Sequence, residues 1–162
     1  MKITARSVAN NVAVGSEVGF FILGEHHVFS GNFASRNRAA GFYVNFGPHT
    51  FTGNSAIGNV GPGIWIGVSW GTVITRNNIY GNDVSANCGL LNSTNGTVDA
   101  HGNFWGAASA PGDDPANEAC DEGSSHTITS PIRAARVPCE RRERAVMPAA
   151  AIALTFSRSG LS

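Results

Sequence analysis

Charge is the first thing that this sequence lacks. Its 11 basic and 11 acidic residues make up only 14% of the chain, the formal net charge is zero and the pI is about 7.0. The protein as a whole therefore has no net positive charge that would attract nucleic acid or an anionic membrane, and we expect neither as a partner. The stretch 19–106 takes its polarity from Asn, Ser, Thr and Gly instead, which favours β-strands joined by tight turns. Its charged residues are Glu25, Arg36, Arg38, Arg76, Asp83 and Asp99.

Long apolar runs are also missing. The run AVMPAAAIALTF at 145–156 has about a dozen residues, whereas a spanning helix needs about 20, so we predict no membrane span. The start MKITARSVANN has no apolar stretch behind its basic residues and does not resemble a signal peptide. With 42% hydrophobic residues among 162, the chain can still bury the core of one domain.

What the sequence does contain is a repeat of about 22 residues. Gly19, Gly41 and Gly63 are 22 positions apart, Gly89 follows after 26, and each opens a short apolar segment. Repeats of this length indicate a solenoid, a propeller or an array. Helical repeats are disfavoured because Gly or Asn recurs every few residues, and leucine-rich repeats because leucine is scarce. The remaining interpretation is an all-β solenoid with about 22 residues per coil.

Two asparagines five positions apart recur inside this repeat. They form two columns, Asn32, Asn54 and Asn77 in the first and Asn37, Asn59 and Asn82 in the second. In a parallel β-helix the coils stack about 4.8 Å apart, so equivalent side chains lie over one another. Asparagine tolerates a left-handed backbone, and its amide can donate to one neighbour and accept from the other. The pattern predicts two ladders of amides, at two turns of each coil.

Alternation after each opening glycine assigns the faces of one strand. The second residue points outward, which produces the row Phe21, Tyr43, Trp65 and Leu91. The residues on either side of this row, together with aromatic residues of a second strand, are predicted to fill the core. An exposed aromatic row is costly unless something covers it. Three explanations compete: packing under the C-terminal segment, a subunit interface, or a platform on which sugar rings stack.

Residues 5–132 resemble a known family. The coils are followed by VDAHGNFWGAASAPGDDP at 98–115, which contains an Asn-aromatic-Trp-Gly motif with Trp105, and later by Ser130-Pro131. This order is similar to that of right-handed parallel β-helix proteins of the pectin-lyase-like superfamily, in particular the short-repeat carbohydrate-binding and sugar-hydrolase type. The resemblance includes a branch of periplasmic copper-binding β-helix proteins. This chain departs from the pattern in Ala110-Pro111, where the family has Gly-Pro, and in having only about five coils.

The resemblance implies a β-helix over residues 1–132, with a capping loop at about 103–132. Residues 133–162 are rich in Arg and Ala, and we expect them to form a disordered tail. Strand edges left unpaired at the first coil are prone to aggregation, so we also expect a longer parent chain or an oligomer.

The three cysteines leave two interpretations open. A bridge between Cys88 and Cys120 would tie the loop to the solenoid and would imply an oxidising compartment. Alternatively all three thiols are reduced, and Cys139 lies unpaired in the tail. We favour the bridge and expect an extracellular or periplasmic location.

Paired carboxylates suitable for catalysis are not evident. The enzymes that the chain resembles use clustered acids with an Arg or Lys for elimination, or two or three aspartates for hydrolysis. Glu17, Glu25, Asp83 and Asp99 share no column, and a glycosidase needs two carboxylates about 5 to 10 Å apart. We therefore expect a non-catalytic protein, or else a fragment of a lyase or hydrolase whose carboxylates lie outside this chain.

Two kinds of metal site are conceivable. His27 and His49 each lie eight residues after an opening glycine and should stack in adjacent coils beside His26, an arrangement that suits copper or zinc. The alternative is that these histidines are exposed turn residues. An acidic cluster could hold calcium, and the simpler interpretation is a solvated loop. The cluster comprises Asp113, Asp114, Glu118, Asp121 and Glu122.

The sequence therefore predicts a secreted or surface module that binds polysaccharide without cleaving it, and needs no cofactor to do so. The expected stacking residues are Phe21, Tyr43 and Trp65, with Trp70, because aromatic rings suit the apolar face of a pyranose. The hypotheses from other classes are the lyase or hydrolase fragment and a metal-binding accessory protein centred on the histidines.

Overall fold

The computed structural model describes residues 6–109, 111–112 and 116–138. These residues form strands and turns, and none of them belongs to a helix long and apolar enough to cross a membrane. The first coil contains β1 (Ser7–Ala9), β2 (Val12–Val14) and β3 (Val18–Ile22), and the second β4 (Val28–Ser30), β5 (Phe33–Ser35) and β6 (Ala40–Val44). The third contains β7 (Thr50–Thr52), β8 (Ser55–Ile57) and β9 (Ile64–Ile66), and the fourth β10 (Val73–Thr75), β11 (Asn78–Tyr80) and β12 (Cys88–Asn92).

The chain continues beyond these four complete coils. β13 (Thr97–Asp99) and β14 (Glu118–Asp121) belong to a fifth coil, in which a single bridge from Phe104 to Asn78 replaces the middle strand. β15 (His126–Ile128) adds one strand of a further turn. Much of the predicted capping loop at 103–132 therefore extends the solenoid instead of only covering its end.

Equivalent strands of successive coils pair in parallel and form three sheets. Sheet A has the order β1-β4-β7-β10-β13-β15, sheet B β2-β5-β8-β11, and sheet C β3-β6-β9-β12-β14. The all-β parallel solenoid with about 22 residues per coil is thus confirmed. Four coils are complete, against the predicted five or so.

The core lies between the three sheets and is built from stacked equivalents. Phe29 and Phe51 stack with ring centroids 4.8 Å apart and planes 10° apart, and Phe20 and Phe42 do the same at 4.7 Å and 8°. Trp105, predicted as a structural residue, is fully buried in the same core. Each coil therefore buries its aromatic rings against the coil beside it.

The asparagines lie at the two corners that flank sheet B. Asn54 is buried, its Nδ2 donates to Asn77 Oδ1 at 3.0 Å and to Phe29 O at 2.9 Å, and its Oδ1 accepts from the backbone N and Nδ2 of Asn32. The second column has the same pattern, for example from Asn37 to Asn59. Both ladders are longer than the three members that the sequence suggested. Asn11 and Asn103 extend the first, and Asn117 extends the second.

A left-handed residue precedes every asparagine of the two ladders from Asn11 to Asn103. Gly53 and Gly58 have φ values of +65° and +63° just before Asn54 and Asn59, and Arg76, at +58°, has the same role before Asn77. This residue turns the chain sharply enough to aim the next side chain at the following coil. The opening glycines have a different function, because a Cβ at Gly41 would lie 2.5 Å from Gly63 O.

The C-terminal segment lies on the outer face of sheet B. Val137 exchanges two hydrogen bonds with the side chain of Asn78, at 2.8 and 3.0 Å, and the Arg136 guanidinium lies 4.5 Å from the centre of the Tyr80 ring. Residues 133–138 therefore contact the solenoid, and the disordered tail over 133–162 stays a prediction. The predictions for 139–162, Cys139 and the apolar run at 145–156 among them, fall outside the described residues.

A disulfide links Cys88 of β12 to Cys120 of β14, which confirms the predicted bridge. The two residues belong to neighbouring strands of sheet C and are 32 positions apart in sequence. The bond therefore fixes the last strand of sheet C, and the loop that leads to it, to the fourth coil.

We predict that Asn54→Ala lowers the free energy of unfolding by about 3 kcal/mol, because the substitution leaves buried donors and acceptors unpaired in both neighbouring coils. Asn11→Ala, at the exposed end of the same column, should cost clearly less, since water can replace the lost partners. Urea unfolding followed by circular dichroism measures both. Equal losses at the two positions would contradict the buried-ladder interpretation.

We also predict that replacing Cys88 and Cys120 together by serine lowers the free energy of unfolding by about 3 kcal/mol, since a closed loop of this length restricts the unfolded chain. Thermal unfolding of the oxidised protein, the reduced protein and the double variant provides the measurement. The reduced protein should match the variant, and a reduced protein as stable as the oxidised one would be the opposing result.

Candidate functional site

The outward row predicted from the sequence lies on sheet C in consecutive coils. We call Phe21, Tyr43 and Trp65 the aromatic strip, and Leu91 follows Trp65 in the same register. Ring centroids are 5.4 Å apart between Phe21 and Tyr43 and 4.7 Å apart between Tyr43 and Trp65. Phe21 is 57% exposed, and the other two are half-buried. The strip is therefore an uninterrupted aromatic surface that runs across three coils.

Polar neighbours hold two of the three rings in place. Trp65 Nε1 donates to Ser93 Oγ at 3.1 Å, and the Tyr43 hydroxyl donates to Asn45 Oδ1 at 3.2 Å. Gly67 leaves room for the Tyr43 ring, since a Cβ at that position would lie 3.1 Å from the hydroxyl oxygen. The Tyr43 and Trp65 rings are thus held in defined orientations.

The structure separates Trp70 from the strip. Trp70 lies in the corner between sheets C and A, and its ring contacts Phe46, with centroids 5.9 Å apart and planes 69° apart. Both residues are largely exposed. Alternation along β9 does not reach Trp70, because the strand ends at Ile66. Trp70 thus lies in a different element from Phe21, Tyr43 and Trp65, and its part in the site stays a prediction.

His27 and His49 stack in adjacent coils at the corner between sheets C and A. Their ring centroids are 5.2 Å apart and their planes 21° apart. His49 is 2% exposed, so the alternative that both are exposed turn residues is wrong for His49. His26 precedes them with a φ of +57°, and its side chain is exposed.

The two histidines belong to a third ladder that the sequence analysis missed. The backbone N of His27 donates to His49 Nδ1 at 3.2 Å, and the backbone N of His49 donates to Thr72 Oγ1 at 3.1 Å. In the asparagine columns the same backbone donor bonds to Oδ1 of the next coil. His49 Nδ1 and Thr72 Oγ1 therefore replace an amide oxygen at this corner.

The comparison with known families gives one result. A family model described as "Periplasmic copper-binding protein (NosD)" matches residues 2–106, well over half of the chain. The chain belongs to this family. Neither a curated protein nor a solved structure matches it. The family's periplasmic location confirms the predicted extracellular or periplasmic location, and the disulfide agrees with it.

Membership of the NosD family makes copper the metal to test against these histidines, and the geometry does not fit a copper centre. His49 Nε2 lies 2.6 Å from Phe46 O and donates to it, while Nδ1 accepts from His27, so neither nitrogen has a free lone pair. His27 Nε2 lies 3.1 Å from Leu23 O, and its Nδ1 is buried without a hydrogen-bond partner. In the described part of the chain, no three His, Cys, Asp or Glu residues come together to hold a metal ion.

The acidic residues that the sequence suggested for calcium or catalysis have local partners. Asp121 accepts from Thr127 through both carboxylate oxygens, and Asp83 accepts from Ser85 and from the backbone of Ala86. Asp113 and Asp114 lie outside the described residues, so the calcium hypothesis stays a prediction.

One carboxylate pairs with a histidine that the sequence analysis did not select. Asp99 Oδ1 lies 2.5 Å from His101 Nδ1 on the outer side of sheet A, and both side chains are part-exposed. The signal in the sequence is their spacing of two residues, which places both on one face of an extended segment. The carboxylate orients the imidazole, and this contact alone defines no catalytic centre.

We predict that acid destabilises the protein through His49. Burial lowers the pKa of His49 below its ordinary 6.5, and the positive charges of His27 and His26 would lower it further, although the bond to Phe46 O and the charge of Glu25 oppose this. Below pH 6.5 the unfolded residue therefore takes up a proton that the folded residue does not, so the stability present above that pH is lost as the pH falls.

The measurement is urea unfolding between pH 5 and 8, a range of about three units around the ordinary histidine pKa. His49→Asn should flatten the profile, because an amide oxygen can accept the His27 N–H without titrating. His26→Asn is the matched control and should retain the slope. A His49→Asn profile as steep as that of the wild type would exclude His49 as the cause.

Proposed function

We propose that this chain is a non-catalytic β-solenoid module of the periplasm or cell exterior, and that it binds polysaccharide through the aromatic strip. The observation that carries the proposal is the register of Phe21, Tyr43 and Trp65, one ring per coil on an open sheet face. A sugar ring places its apolar C–H face on an aromatic ring, so such a row offers successive stacking positions. The 4.7 and 5.4 Å steps between rings are similar in scale to a saccharide unit.

The groups around the strip also suit sugars. Asn45 and Ser93, which hold Tyr43 and Trp65, carry further donor and acceptor capacity at the edge of the rings. Sugar hydroxyls need such neutral partners beside the stacking surface. Of the three explanations for the exposed row, packing under residues 133–138 is disfavoured because these residues lie on sheet B.

We do not propose that the described histidines bind copper, although the family description names that metal. Both ring nitrogens of His49 form hydrogen bonds within the protein. A metal could bind to either nitrogen only if the bond to His27 N or to Phe46 O were broken. Cleavage of polysaccharide is disfavoured in turn, because Asp83, Asp99 and Glu17 each contact a local partner and form no acid pair.

We predict that Trp65→Ala weakens polysaccharide binding about tenfold, since one stacked ring contributes on the order of 1 kcal/mol beyond its buried area. A glycan array followed by affinity electrophoresis on the polymers that bind gives the measurement. Trp70→Ala removes an exposed tryptophan off the strip and is the matched control, so it should bind like the wild type. Circular dichroism verifies that both variants are folded.

Two results would contradict the proposal. One is equal binding by wild type and Trp65→Ala across the array. The other is release of unsaturated or reducing ends from a bound polymer, which would make the chain a lyase or hydrolase.

A further inference from the structure

We infer that the polysaccharide bound by the aromatic strip is uncharged, an inference that rests on the proposed function. The middle of the solenoid contains no Asp, Glu, Lys or Arg from residue 39 to residue 75. This stretch supplies β6 and β9, which carry Tyr43 and Trp65, and both of the corners that follow them. A carboxylate on a bound sugar would therefore find no Lys or Arg in either strand or in the corners that follow them.

The nearest arginine along the chain lies in the corner that precedes β6. Arg38 comes five residues before Tyr43, and exposed charges at physiological salt are screened over about 8 Å. Its guanidinium also lies 3.9 Å from a carboxylate oxygen of Glu17, which offsets its charge. A uronate stacked on the strip would gain little from this residue.

The charges that sheet C does carry are negative. β14 ends the sheet on the side of Leu91 and Trp65, and it brings the exposed side chains of Glu118 and Asp121, followed by Glu122. A polyanion that extended along the strip in this direction would meet like charge. A neutral chain would not, and it could use Asn45 and Ser93 as hydrogen-bond partners.

Paired titrations of the full chain test this inference. The probes are a neutral β-linked glucan and polygalacturonate of matched length, each measured in low and high NaCl. We expect the glucan to bind at least tenfold more tightly, with an affinity that salt changes less than twofold, because no ion pair contributes. Polygalacturonate that binds as tightly as the glucan would overturn the inference, and loss of that binding in Trp65→Ala would leave the proposed function standing.

A charge-insertion pair sharpens the test. Val68 is 52% exposed in the corner that follows Trp65, and Val60 is 65% exposed at the opposite end of β9. Val68→Lys should raise polygalacturonate binding at low salt several-fold and leave the glucan unaffected, whereas Val60→Lys, with the same added charge, should do neither. Equal gains in both variants would show general attraction and contradict the assignment of the strip. Failure of both polymers and of every other glycan to bind would instead remove the proposed function itself.

Discussion

Buried amide hydrogen bonds at the corners of the coil are the constraint on which this structure depends. A solenoid turns its chain three times per coil, and at each turn a backbone N–H faces the interior, where no water can accept from it. At the two corners beside sheet B, an asparagine of the next coil provides the acceptor and uses its own amide hydrogens on a backbone carbonyl. Without these side chains, stacking the phenylalanines and isoleucines of the core would leave a buried donor in every coil.

The same constraint explains how a continuous aromatic surface arises from short strands. Strands of three to five residues are too short to hold a register by themselves, yet the ladders fix each corner to the corner above it. Phe21, Tyr43 and Trp65 are therefore placed one coil apart by contacts that lie on the other sides of the solenoid. The aromatic strip and the ladders occupy different columns of the same repeat, so a substitution in the strip leaves the ladder hydrogen bonds in place.

The parts of this structure that repeat could be predicted from the sequence, and the parts that occur once could not. Asn32, Asn54 and Asn77 share an interval and an identity, and the register of the strip follows from the same period. The third ladder was not predicted, because its acceptor atoms, His49 Nδ1 and Thr72 Oγ1, belong to different residue types and leave no repeated residue in the sequence. Asn117 was missed because a loop separates it from Asn82 by 35 positions. The contact of Val137 with Asn78 is not part of the 22-residue repeat, so the spacing of residues in the sequence could not predict it.

All three ladders have a direction. The N–H at each corner bonds to a side chain that comes one coil later in the sequence, from Asn32 to Asn54 and from His27 to His49. The N-terminal end of the chain leaves the ribosome first, so each newly made corner lacks its hydrogen-bond acceptor until the next coil has emerged. The second ladder ends when the backbone N of Asn117 donates to Trp105 O instead of to a further amide. The second ladder is thus complete only once Asn117 has emerged, and a nascent chain that stalls before Asn117 keeps an open corner in its interior.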